Sequence, residues 1–362
     1  FDDRMAITAN EYVQQGVAGI PDILTKDAYQ SYLEKKNGGN QLAGGRYRPL
    51  SLITFAIEQQ MMGIPADNES ADEREVRIAG EMHSRHVVNS LRQKGAVFVE
   101  ELSEVPEGSV VIFSAHGVAK SVWAEANQRR LHVIDATCPL VIKVHNEVNR
   151  EYTQGYELIL IGHAGHPEVI GTLGQIPDKF HLVSSVQDVE TLHVDNTRNL
   201  SYVTQTTLSV DECRDIVAAL NKRFPNIKGP HQEDICYATQ NRQNAVKELS
   251  RLVDVILVIG SPNSSNSNRL RELGEQCGIP SYLIDSASDI NPDWLKAAKA
   301  VGIAAGASAP EVLVTEVVAF LRSSGPSEVE ELTVIEEDVE FLLPKELVQI
   351  ESASKSAAGV AR

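Results

Sequence analysis

The chain has 362 residues, 42% of them hydrophobic, and a formal net charge of −17. That length can bury several cores and suggests two or three domains. The acidity and the lack of a basic run argue against nucleic acid as a partner, and no apolar stretch approaches the roughly 18 residues of a membrane span. The four cysteines include no CxxC pair and no signal peptide precedes them, which predicts a reducing, cytoplasmic setting rather than a disulfide framework.

Residues 1–82 stand apart. They are cysteine-free and show no strand–helix alternation; Gly38 to Gly45 reads as a loop, Pro49 to Pro65 as a short helix, and Asp67 to Glu75 as a solvated acidic stretch. The expected junction lies near Glu81-Met82-His83. Residues 83–137 then form a partial first α/β unit, with strands at Ala96–Val99 and Val110–Phe113, a loop Ser114–Gly117, and a helix through Val122 and Ala126.

Residues 138–234 form a second unit. Cys138 follows the apolar run His132–Ile134. A helix starts at Pro139, where a missing N–H is tolerated, and buries Val141, Val144 and Val148. The strand Leu158–Ile161 stops at Gly162-His163-Ala164-Gly165-His166-Pro167-Glu168. Residues 235–323 repeat this order. Cys138 and Gly162 are 24 residues apart, as are Cys236 and Gly260, and the two cysteines are separated by 98. Asp188 and Asp289 also correspond. A match this long means two copies of one unit, and residues 83–137 match its second half. A first-unit cysteine is then expected near residue 40, where the chain reads Asn37-Gly38-Gly39-Asn40-Gln41. The tail, 324–362, holds one plausible strand at Glu340–Leu343 and a polar end.

Strand C-termini are where open α/β sheets place their chemistry, and the candidate residues lie there. Cys138 and Cys236 read either as thiolates converging on an iron–sulfur cluster or as small buried residues. Cys213 and Cys277 read as packing and surface residues. His116, His166 and His83 can donate to a phosphate, or make structural hydrogen bonds as expected of His132, His145, His181 and His193; His163 is open between the two. Glu168 is a candidate proton donor or a helix N-terminal carboxylate. Thr206 is a candidate substrate contact or cap. Ser264, Ser265, Asn266 and Ser308 suit a phosphate at helix starts, or are ordinary loop residues.

The segments HSRHVVNSL, SAHGV, DATCPLVIKVH, GHAGHPEVIGTLGQ, TQTTLSVDE, DICYATQNRQ, GSPNSSNSNRL and AGASAP together resemble hydroxymethylbutenyl diphosphate reductase, from about His83 to about Leu347. The resemblance implies an α/β trefoil of three similar units around a central cluster site, the first unit incomplete here. It implies a 4Fe-4S cluster held by Cys138 and Cys236 with the third cysteine ligand absent, Thr54 lying about where that ligand would fall. It implies Glu168 in proton delivery, and His83, His116, His166, Thr206, Ser264, Ser265, Asn266 and Ser308 around an allylic diphosphate. The implied reaction is reductive dehydroxylation to isopentenyl and dimethylallyl diphosphate, with ferredoxin or flavodoxin as electron donor. With the first motif gone, the unit's first strand, helix and second strand are expected to be missing, the cluster labile or absent, and activity impaired. FDDRMAITANEYV with GGRYRPLSLITFAIE weakly resembles a loop of a GT-C-type membrane glycosyltransferase, and no membrane domain accompanies it. The remaining readings are a cluster-free diphosphate-binding remnant, a fusion artefact, or a sugar-phosphate binder built on the serine loop.

Overall fold

The structure is a computed structural model that describes residues 77–79, 85–93, 95–325 and 328–335. Thr54, His83, the Pro49–Pro65 segment and the Glu340–Leu343 strand lie outside the described residues.

Three parallel sheets form three α/β units. The first contains β1 (Arg77–Ala79), β2 (Val97–Val99), β3 (Val110–Phe113) and β4 (His132–Asp135) in the order β2-β1-β3-β4. Helices α1 (Arg85–Gln93) and α2 (Lys120–Gln128) belong to it. The second unit runs α3 (Pro139–Thr153), β5 (Glu157–Ile161), α4 (Pro167–Leu173), β6 (Phe180–Val183), α5 (Val186–Thr191), β7 (Leu200–Thr204) and α6 (Val210–Arg223), with sheet order β6-β5-β7. The third runs α7 (Tyr237–Leu249), β8 (Val255–Ile259), α8 (Ser265–Gln276), β9 (Ser281–Ile284), β10 (Val301–Ala305) and α9 (Glu311–Ser323), in the order β10-β8-β9.

The central strands β5 and β8 are buried at every position, as a parallel strand covered by helices on both faces requires. Alternate side chains serve opposite cores. Leu158 and Leu160 pack with Val144 and Val148 of α3, whereas Ile159 and Ile161 pack with Ile216 and Leu220 of α6. In the third unit Ile256 and Val258 face Val246 and Leu270, while Leu257 and Ile259 face Leu313 and Val317.

The first unit is less truncated than its sequence pattern indicates. Arg77–Ala79, inside the 1–82 stretch set apart above, is the central strand of the first sheet, and its Ile78 is buried. The segment was hard to read because three residues carry too little periodicity. The expected loss of the unit's second strand is corrected: β1 stands where β5 and β8 stand in the other units, and α1 follows it as α4 and α8 follow those strands. A shared detail supports the threefold repeat. Glu104, Asp188 and Asp289 each stand five residues past β2, β6 and β9, and each carboxylate accepts backbone N–H bonds from the turn just before it.

The seam between the first two units needs glycine. The backbone of α4 lies so close to the 117–119 loop that a Cβ on Gly171 would come within 2.7 Å of the Gly117 carbonyl oxygen, and one on Gly174 would collide with Ala119. Gln175 Nε2 then donates to Val118 O (2.9 Å) across the seam. Gly171→Ala is expected to lower stability by about 1–3 kcal/mol, because backbone atoms must move; urea denaturation checks it, and an unchanged midpoint would refute the close approach.

Candidate active site

Cys138 and Cys236 are the N-cap residues of α3 and α7, with nearly equal backbone angles (φ −56°, ψ 131° and φ −58°, ψ 130°). Each is held by the preceding unit. Cys138 N donates to Ala115 O (3.0 Å) and Cys236 N to Thr206 O (2.8 Å), and these acceptors stand two residues past β3 and β7. The equivalent third position is Ala307, two past β10, and no cysteine precedes Cys138 in the sequence to meet it. Burial pushes the Cys138 thiol pKa up, the Leu140 and Val141 amides pull it down, and Cys236 and Glu168 act on it electrostatically.

The other two cysteines stay out of this centre. Cys213 packs with Ile216 and Leu220 in the second unit's core, as the sequence suggests. Cys277 is exposed at the C-terminal end of α8, about 18 Å along the helix from its site end. Among the described residues no group of three His, Cys, Asp or Glu is placed to hold a metal ion. Two thiols at matched positions fit part of a cluster's ligand set, and the described residues do not complete it.

Glu168 is the second residue of α4 and is only 3% exposed. Its carboxyl accepts from Thr206 N (2.7 Å) and Thr206 Oγ1 (2.9 Å). Burial raises its pKa to about 7; the Thr206 hydrogen bonds oppose the shift and Asp234 adds to it. Glu168 thus stands in the first turn of a helix, and its buried carboxyl has a pKa pushed up toward neutrality. Thr206 links it to Cys236 through its own carbonyl.

His166 caps α4, and its Nδ1 accepts from Glu168 N (3.1 Å), which puts the proton of the neutral ring on Nε2. The His116 ring meets it edge-on at 5.6 Å between centroids, so the loops of the first two units bring these two imidazoles together. His163 serves the seam instead. Arg269 Nη2 donates to its Nε2 (2.7 Å), and burial, with that guanidinium, lowers its pKa. His145 is half-buried against Gly117, and desolvation drops its pKa to about 4. His181 is bound to Glu157 (2.5 Å).

The serine loop caps α8. Ser264 Oγ accepts from Ser267 N (3.3 Å) and Ser267 Oγ (3.0 Å), and Thr207 Oγ1 donates to Ser265 Oγ (3.4 Å). Asn266 is 5% exposed, yet neither end of its amide has a hydrogen-bond partner among the described residues. Such a group costs stability unless something binds it. Ser308, exposed, lies on the neighbouring loop past β10.

Two residues outside the candidate set hold the cysteine helices together. Asp234, with a fully buried side chain, accepts from Lys143 Nζ (2.9 Å) and Thr204 N (2.9 Å), joining α3 to the strand end and to the approach to Cys236. Burial raises the Asp234 pKa, and Lys143 opposes this. Their positions in VIKVH and EDICY offered no periodic signal, because the pair closes across 91 residues.

Three parallel α/β units, with two cysteines, a buried acid and a serine-rich helix start past their strands, define a trefoil-type α/β protein. The family model for LytB protein matches residues 63–322, beginning upstream of the expected His83 and ending before Leu347. 4-hydroxy-3-methylbut-2-enyl diphosphate reductase 2 of Bradyrhizobium diazoefficiens is 59% identical over 266 residues, covering 74% of this chain and 86% of that protein. The Azoarcus sp. reductase is 58% identical over 74% of this chain and 85% of its own length. The solved structure of the E-1-hydroxy-2-methyl-but-2-enyl-4-diphosphate reductase from Plasmodium falciparum superposes with a TM-score of 0.74 at 34% identity, covering 77% of this chain and 89% of that one. The chain belongs to the LytB family of iron–sulfur oxidoreductases. Among the described residues no helix is long and apolar enough to cross a membrane.

Because the folded pKa of Glu168 lies above its unfolded value, the folded state binds more protons between about pH 4.5 and 7. Stability from this group is present below that window and is lost as pH rises through it. Glu168→Gln is expected to flatten this dependence in urea titrations at pH 5 and pH 8; identical slopes in both proteins would contradict the shift. Lys143→Met leaves Asp234 buried and unpaired. It is expected to cost about 2–3 kcal/mol, less than the ~3–5 of a fully buried pair because Lys143 is partly in water. An unchanged melting temperature would show that the pair is not coupled to folding.

Proposed function

We propose that this chain is built to convert 4-hydroxy-3-methylbut-2-enyl diphosphate to isopentenyl and dimethylallyl diphosphate, and that it does so poorly because it brings two cysteines, not three, to the centre. The observation that carries the reading is the buried Glu168, near neutrality in pKa and tied through Thr206 to Cys236. The net change takes two electrons and two protons, breaks the allylic C–O bond and releases water. Glu168 supplies a proton, and Thr206 holds the carboxyl in place and touches the substrate hydroxyl. His116, His166 and His83 line the substrate; Ser264, Ser265, Asn266 and Ser308 hold its diphosphate at the start of α8, where the helix dipole favours an anion.

Cys138 and Cys236 are the ligands this chain offers a 4Fe-4S cluster, which in the complete enzyme supplies the electrons. A ferredoxin or flavodoxin is the proposed donor and the cytoplasm the proposed compartment. The proposed unit boundaries follow the repeat, with the foreign segment ending near residue 63, where the family match begins, rather than at 82. The second reading, a cluster-free diphosphate-binding remnant, is motivated by the sequence, which places cysteines at two of the three matched positions.

Iron and acid-labile sulfide per chain, measured after anaerobic reconstitution and gel filtration, separate the two. The expected result is well below about four of each, with turnover at least about tenfold under that of a relative assayed alongside. Full loading with relative-like turnover would overturn the impairment. No iron but retained pyrophosphate binding would favour the remnant.

A further inference from the structure

A small cavity of about 30 Å³ opens where the third unit meets the first, lined by Gly260 and Ser261 past β8, Asp285 past β9, Ser308 past β10, and Arg85 and His86 at the start of α1. It has room for one or two waters, or for the outer oxygens of one phosphate group. Ser261 is 3% exposed, and its hydroxyl has no hydrogen-bond partner among the described residues. The motif reading places the anion at Ser264, Ser265, Asn266 and Ser308 and leaves Ser261 without a role.

Three observations connect Ser261 to that anion site. Ser264 N donates to Ser261 O (2.9 Å), so both serines belong to one turn. Ser308 lines the same cavity. The Asn266 amide, two residues past Ser264, is also buried without a partner. The cavity's own charges nearly balance: Arg85 lies 3.6 Å from Asp285, but its side chain is 77% exposed, so the pair holds it weakly and leaves it able to turn toward an incoming anion. A buried hydroxyl without a partner costs folding free energy that alanine would not. A ligand oxygen arriving in the cavity accounts for it.

We propose that Ser261 is a further substrate-binding residue, donating its Oγ proton to a phosphate oxygen of the diphosphate that enters this cavity. The proposal rests on the reading that Ser264, Asn266 and Ser308 hold the diphosphate. Calorimetric titration of the full chain with inorganic pyrophosphate tests it, using wild type, Ser261→Ala and Asn266→Ala, with a melting curve for each. Ser261→Ala is expected to bind roughly tenfold more weakly while its melting temperature in the absence of ligand stays level or rises, since an unpaired polar group has been removed. Wild-type affinity in Ser261→Ala, with Asn266→Ala weakened, would overturn the proposal and leave the diphosphate reading standing. A weaker affinity accompanied by a lower melting temperature would also overturn it, by showing a structural role. Failure of the wild-type chain to bind pyrophosphate would overturn the diphosphate reading and this proposal with it.

Discussion

The arrangement depends on one repeated constraint: the backbone amides of Cys138 and Cys236 are each captured by a carbonyl two residues past a strand, β3 or β7, of the unit before. Cys138 is held by Ala115 and Cys236 by Thr206. A residue at the N-cap of one unit is thereby positioned by its neighbour, so the centre exists only when the units are docked. The docking is correspondingly tight. Glycine backbones meet at the first seam. At the second, Arg269 bridges His163, Glu212 and Glu272, and Gln243 donates to Leu208 O.

Around that centre the molecule carries groups that a purely structural design would avoid. Glu168 is buried with no salt-bridge partner among the described residues, and burial pushes its carboxyl toward the protonated form. Asn266, Ser261 and Thr204 keep buried polar atoms without partners among the described residues. Each burial of a polar atom without a partner lowers folded-state stability; Thr204 and Ser261 lie at or just past strand ends, and Glu168 and Asn266 in the first turns of the helices that follow.

The first unit shares the parallel architecture of the other two. Ile78, Ile112 and Ile134 are buried, and β1 pairs with β2 on one side and β3 on the other. Its inner strand is thus held as β5 and β8 are, by parallel neighbours on both edges.

The sequence by itself determined the units and their order. Apolar runs and heptad-like spacing, repeated at equal intervals, can bury their faces only as helix-covered parallel strands, and the paired cysteines, the His-Pro-Glu loop and the serine loop could be located from that repeat. Burial is the largest influence that pushes the Glu168 carboxyl up to about 7, against the Thr206 hydrogen bonds, and burial is a property of the docked units. The bond that ties His163 to Arg269, the Lys143–Asp234 clasp, and the Asn266 and Ser261 side chains left without partners among the described residues were decided only by tertiary structure. Each depends on which side chain arrives from a distant unit, a matter of three-dimensional distance that spacing along the chain does not encode.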